Sequence, residues 1–318
     1  MMRVLITGAA GFIGSHLSSA LLHEGHDVIG IDSFTSYYDP QIKRRNLAAV
    51  GTSMRFDFRE LDISRVSTDD LLNGVEVVFH LAGQPGVRAS WGSDFAEYLE
   101  RNVSVTQRLL ESARRTPSLR AFVNASSSSV YGNQEVNLLT EDLMPRPISP
   151  YGVSKLAAEH LATLYALELG LPTVSLRYFT VYGPRQRPDM GIHRLIESAK
   201  HRSVFVVNGD GSQRRDFTFV GDIVTAHLRV VDALLSGDLR PGSVFNVGSG
   251  KPISLIDLIS TIEKLTGVNL RVEYGAALPG DPLETFASIE RITSETSWTP
   301  EVTLLDGLSR QIEASYFV

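Results

Sequence analysis

Arg3-Val4-Leu5-Ile6-Thr7-Gly8-Ala9-Ala10-Gly11-Phe12-Ile13-Gly14 decides the fold. Arg3 to Thr7 is a short apolar run of the kind that forms a buried strand. Gly8, Gly11 and Gly14 then punctuate a turn, and a helical pattern runs on through Glu24. Glycines at such a turn let the backbone bend tightly, approach a pyrophosphate, and pack a helix close on its strand. The helix N-terminus, with Phe12 and Ile13 in its first turn, would face the phosphates. One Arg followed by apolar residues superficially resembles a secretion signal, but the three glycines cut that run, and no such signal is expected. Asp27 to Ile31 reads as the next strand and Asp32 ends it. A carboxylate there accepts hydrogen bonds from an adenosine ribose and repels a 2′-phosphate, which selects NAD over NADP.

Further along, strand and helix patterns alternate, the signature of an α/β fold with a doubly wound, Rossmann-type parallel sheet. Lys43, Arg44 and Arg45 follow the second strand; they fit the adenosine side or a solvated face equally well. Met54 to Phe58 is expected as a third strand, with Asp62 and Ile63 placed to read an adenine edge. Val75 to Leu81 is the fourth, ending in the small-residue loop Ala82-Gly83-Gln84-Pro85-Gly86-Val87-Arg88 at the ligand edge of the sheet. Asp94 to Arg115 reads as one long helix and Leu119 to Ala125 as the fifth strand, running into Ser126-Ser127-Ser128-Ser129.

Ser149-Pro150-Tyr151-Gly152-Val153-Ser154-Lys155 starts a helix: Ser149 is a good N-cap and Pro150 a good first residue. Tyr151 and Lys155 then share a face. An ammonium beside a phenol favours the phenolate, so Tyr151 is a candidate general base. The serine hydroxyls could share its proton. Leu156 to Leu169 continues this helix.

After Tyr178 the pattern changes. Segments shorten and breakers multiply, as in Asn208-Gly209-Asp210-Gly211 and Pro241-Gly242, and arginines stand at 185, 187, 214 and 215. Residues 1–178 are read as mainly the NAD-binding domain. Residues 179–318 are read as mainly a smaller C-terminal α/β substrate lobe, with some segments returning to the first. Arginine clustered in loops suits a diphosphate, whose oxygens its planar fork bonds in pairs.

Composition sets outer limits. The chain has 318 residues, 43% hydrophobic and 21% charged, with net charge -6. The negative balance argues against a broad nucleic-acid surface. With no cysteine, disulfides, thiolate nucleophiles and thiolate-held metals are excluded, and a reducing, cytoplasmic setting is expected. No apolar run approaches the ~20 residues that span a bilayer. His23 and His26 lack a third ligand, so no metal site is expected.

Together these motifs resemble the extended short-chain dehydrogenase/reductases, and within them the NAD-dependent nucleotide-sugar epimerases and dehydratases. Thr7 to Gly14, the serine run and Tyr151 to Lys155 carry the likeness. Arg177-Tyr178-Phe179-Thr180-Val181-Tyr182-Gly183-Pro184, Arg215-Asp216-Phe217 and Pro279-Gly280-Asp281 extend it over nearly the whole chain. The resemblance implies that Tyr151 is the base, that Lys155 lowers its pKa and holds the nicotinamide ribose, and that Ser127 sits beside the sugar O4. It places Leu81, Ala82, Gly83 and Tyr178 against the cofactor. Against the substrate it places Gly86, Val87, Arg88, Ser128, Ser129, Thr180 and Asp281, with Arg185 and Arg215 on the diphosphate. Leu278 stands where many relatives carry Arg, so one diphosphate contact is missing or comes from elsewhere.

Related dehydratases place an Asp-Glu pair, and decarboxylases a Glu, just after the catalytic hydroxyl; here Ser128 and Ser129 stand there. Transient oxidation at C4 is what remains, making a 4-epimerase of a UDP-sugar the expected activity. A dehydratase, a decarboxylase or a non-catalytic NAD-binding regulator are the alternatives. NAD is expected to be tightly bound and regenerated each turnover. Tyr37-Tyr38-Asp39-Pro40, Gln84 to Arg88, Arg187-Pro188-Asp189-Met190 and Thr180 are similar to the glucuronate 4-epimerase branch, and point to UDP-glucuronic acid over UDP-glucose. A homodimer, pairing the helices Asp94–Arg115 and Leu156–Leu169 with their copies, is expected from the resemblance.

Overall fold

The computed structural model describes residues 1–136, 138–276 and 284–316. Its first half runs β1 (Arg3–Thr7), α1 (Phe12–His23), β2 (Asp27–Asp32), α2 (Pro40–Val50), β3 (Phe56–Glu60), α3 (Thr68–Leu72), β4 (Val77–His80), α4 (Phe95–Tyr98), α5 (Val105–Arg114) and β5 (Ala121–Ser127). Then come β6 (Leu138–Leu139), α6 (Pro150–Leu169), β7 (Thr173–Tyr178), β8 (Thr180–Tyr182), α7 (Gly191–His201), β9 (Val204–Asn208), β10 (Arg214–Phe219), α8 (Val220–Ser236) and β11 (Ser243–Val247). The chain closes with β12 (Pro252–Ser254), α9 (Leu255–Thr266), β13 (Arg271–Gly275), β14 (Phe286–Ala287), α10 (Glu290–Thr296) and α11 (Leu304–Tyr316).

A seven-stranded parallel sheet forms the frame, in the order β11-β7-β5-β4-β1-β2-β3. The chain steps outward from β1 to β3, then returns to the other side of β1 for β4. That reversal opens a crevice at the C-terminal ends of β1 and β4, where such sheets bind ligands. Alternation along β1 explains the layers: Val4 and Ile6 enter a core with Leu17 and Leu21 of α1 and Ile223 and Val230 of α8. Leu5 enters another, with Leu109 and Leu110 of α5 and Ala162 of α6. The expected doubly wound sheet is therefore present.

Strand boundaries differ from the sequence reading. The third begins at Phe56 because Met54 is fully exposed. The fourth is only Val77–His80. The fifth extends to Ser127, so Ser126 and Ser127 belong to the strand and not to the loop after it. The expected single helix Asp94–Arg115 is helical but not uniform: a π-helical segment, Leu99–Ser104, joins α4 to α5. Its wider turn carries Asn102, whose amide is fully used: Oδ1 accepts from Gln84 N at 2.6 Å, and Nδ2 donates to Gln84 O at 3.0 Å and Ser154 Oγ at 2.9 Å.

Smaller sheets β12-β10-β8 and β13-β9 stand apart from the main sheet, while β11 and α8 return to it. The core that holds Val4 also holds Ile196, Phe205 and Leu258.

Candidate active site

The first cleft lies over β1 and β2. Gly8 has φ +76, and a Cβ at Gly14 would sit 2.1 Å from Gly8 O, so helix and strand approach as only glycine permits. Gly11 caps α1 without a side-chain hydrogen bond, leaving first-turn amides free for phosphate oxygens. Asp32 ends β2; its Oδ1 accepts from Phe34 N at 3.0 Å and from Lys43 Nζ at 2.8 Å. Lys43 is thus turned inward onto that carboxylate and is not a solvated charge. Gly8, Gly11, Phe12, Ile13, Gly14, Asp32, Lys43, Asp62, Ile63, Leu81, Ala82, Gly83, Tyr151, Lys155 and Tyr178 all line this one cleft. A cradle that a Cβ would fill, free helix amides and a terminal carboxylate fit a dinucleotide with an unphosphorylated ribose.

A second cleft meets the first at Tyr151. Gly86, Val87, Arg88, Ser127, Ser128, Ser129, Tyr151, Thr180 and Arg215 line it together. Tyr151 and Tyr178 belong to both walls. Tyr178 OH bonds His227 Nε2 at 2.7 Å, which turns its hydroxyl away and its ring inward.

The environment of Tyr151 includes a charge the sequence did not point to. Burial pushes its phenol up, against a hydrogen bond from Ser127 and the nearby charge of Arg187, which both pull it down. Arg187 supplies a positive charge beside it. Lys155 shares the helix face as expected, but its Nζ donates to Ala125 O at 2.7 Å, and burial pushes it down to about 8. A lysine's flexible stem reaches whichever acceptor lies below it, and here that is the end of β5.

Arg185 and Arg187 also change places. Arg185 lines neither cleft. It has φ +64, its Nη1 is buried with no hydrogen-bond partner, and its charge acts on His16. Arg187 lines both clefts and forms a fork to Asp189, 2.9 Å at each nitrogen. The sequence shows two arginines two residues apart; only the left-handed turn at Arg185 decides which one enters. Tyr37, also missed, lines both clefts and reaches Asp189 Oδ2 at 3.5 Å. Asp281 and Leu278 lie outside the described residues.

A phenol with a serine on it, opening onto a dinucleotide cradle at a sheet's switch point, defines the class: a nicotinamide-dependent enzyme that acts on a substrate hydroxyl. Residues 4–248 match the NAD dependent epimerase/dehydratase family, and the chain belongs to that family. It is 41% identical over 312 residues to "Uncharacterized UDP-glucose epimerase YtcB" of Bacillus subtilis, covering 98% of this chain and 97% of that one. It is 34% identical to "UDP-glucuronate 4-epimerase" of Thermodesulfobacterium geofontis, over 98% of this chain and 95% of that one. A crystal structure of UDP-glucuronic acid 4-epimerase from Bacillus cereus, in complex with UDP-glucuronic acid and NAD, superposes with TM-score 0.95 at 40% identity over 100% of both chains. MoeE5 in complex with UDP-glucose and NAD superposes with TM-score 0.86 at 40% identity, over 99% of this chain and 98% of that one.

Proposed function

We propose that the protein is an NAD-dependent 4-epimerase of UDP-glucuronic acid, giving UDP-galacturonic acid. One observation carries the reading. Tyr151 lines one cleft together with Ser127, Ser128, Ser129, Thr180 and Arg187, and positions 128 and 129 carry no carboxylate for elimination or decarboxylation. NAD held in the first cleft would supply the hydride acceptor and donor for C4.

The chain's own groups do the rest. Tyr151 takes the O4 proton, with Ser127 sharing it, and returns it after the sugar has turned its other face. Lys155, whose Nζ reaches the end of β5, holds the nicotinamide ribose in this reading. Asp32 accepts the adenosine ribose, and Arg215 and Arg88 meet the diphosphate. Oxidation at C4 of a uronate makes a β-keto acid, which loses carbon dioxide when the carboxylate's bond to C5 aligns with the ketone. Hydroxyl donors from Ser128, Ser129 and Thr180, with Arg187 opposite in charge, hold the carboxylate out of that alignment.

A second reading, UDP-glucose to UDP-galactose, is favoured by hydroxyls that also suit a neutral C6 alcohol; the likeness to YtcB and to MoeE5 with UDP-glucose keeps it in view. Competition between UDP-glucuronate and UDP-glucose, compared by kcat/KM, decides. Preference for the uronate is expected; equal or better turnover of UDP-glucose moves the assignment to the hexose. Thr180→Ala is expected to harm the uronate reaction more, and equal losses on both sugars would remove Thr180 from the carboxylate site.

The same reading includes a homodimer, supported by bare leucines on α6, and a cytoplasmic setting, supported by the absence of cysteine. It divides the chain by role near residue 178, although one core runs through both parts.

A further inference from the structure

Tyr151, Lys155 and Glu159 recur every fourth residue on α6 and so share one face. The first two have roles in the proposed reaction. Glu159 has none there, yet it is 3% exposed. A buried carboxylate persists only where it is paired and hydrogen-bonded. Its Oε2 accepts from Ser126 Oγ at 2.6 Å and Arg177 Nε at 3.0 Å, and its Oε1 accepts from Arg177 Nη2 at 2.6 Å. Arg177 Nη1 continues to Tyr131 OH at 2.8 Å, which donates to Asn246 Oδ1 at 2.7 Å.

The three helix residues meet three consecutive residues at the end of β5. Lys155 bonds the Ala125 carbonyl, Glu159 bonds the Ser126 hydroxyl, and Tyr151 lines the same cleft as Ser127. Ser126 and Ser127 are neighbours on a rigid strand, so a link at one fixes the other. We infer that Glu159, clamped to Ser126 and Arg177, is a positioning residue that sets where α6 lies along the end of β5 and so fixes Tyr151 relative to Ser127 in the cleft. The inference rests on the epimerase reading above and assigns that site a residue that never touches substrate.

Ser126→Ala cuts the clamp while leaving the buried Glu159–Arg177 pair intact, so folding should survive; Glu159→Gln strands the Arg177 charge and serves as the second variant. Ser126→Ala is expected to lower kcat about tenfold or more, because small misplacements of reacting groups are costly, with KM within about twofold. The acid limb of its kcat profile should move to higher pH, since Ser127, which favours the phenolate, shifts away from Tyr151, and Ser126→Thr should restore most of the loss. Independently of turnover, the tyrosinate absorbance of each protein minus that of its Tyr151→Phe counterpart reports the Tyr151 titration. A parental kcat together with a parental Tyr151 titration in Ser126→Ala overturns the clamp. If the parent epimerises no UDP-sugar, the functional reading falls, and the absorbance titration still judges the clamp alone.

Discussion

At Tyr151, burial raises the phenol's pKa while Ser127 and Arg187 lower it. Tyr151→Phe removes the base and should reduce turnover at least about 100-fold with substrate binding little changed. Near-normal turnover in that variant would exclude Tyr151. Arg187 gives a prediction with a definite sign. A positive charge favours the phenolate, so Arg187→Gln must raise the pH at which Tyr151 ionises. The acid limb of kcat should shift upward, and an unmoved limb would mean that Arg187 does not act on the base. Ser127 itself was singled out by family resemblance, while the nearness of Tyr151 to the serine run was legible in the sequence from a helix start that follows a strand end. The identity of the nearby cation was not. Lys155 and Arg187 have long stems, and which one approaches the phenol depends on Ala125 O and on the left-handed turn at Arg185.

Among the elements, the glycine turn could be read closely, since three glycines, a strand and a helix constrain one another. Gly14→Ala tests it: a methyl group 2.1 Å from Gly8 O must push α1 off β1. The variant should purify without NAD, seen as lost absorbance near 260 nm, or fail to fold; a stable variant that keeps its cofactor would refute the close-packing account. The π-helical segment was invisible to pattern reading, because its apolar spacing differs little from that of an α-helix. What sets it apart is Asn102, whose side chain ties the loop after β4 to α6. Asn102→Ala leaves Gln84 N–H and C=O buried without partners, at a cost of about 1–3 kcal/mol each, so a fall in Tm of several degrees is expected by calorimetry. An unchanged Tm would show that water or neighbours satisfy those groups.

For the molecule as a whole, the segments before and after residue 178 share one apolar core. The shortening of segments after residue 178 is readable from loop composition, whereas the return of β11 and α8 to the main sheet depends on long-range pairing that no local pattern records. The remaining apolar surface bears on assembly. On α6, Val153, Leu164 and Leu167 are 46%, 52% and 56% exposed. At 100° per residue they fall within about 60° of one another, on the face turned away from Ala158, Ala162 and Ala166 of the core. Leu99, on the neighbouring π-helical segment, is 42% exposed. Leucines bared in a stripe along two adjacent helices are what a helix-to-helix interface between two copies requires, since a twofold contact pairs the same patch on each subunit. Light scattering at micromolar concentration should therefore give twice the chain mass. Replacing Leu164 and Leu167 together by Glu puts four carboxylates into that interface, two from each subunit, and should yield monomers that keep the parental circular dichroism. A parent protein that is monomeric under these conditions removes the dimer, and the stripe would then have to face some other partner.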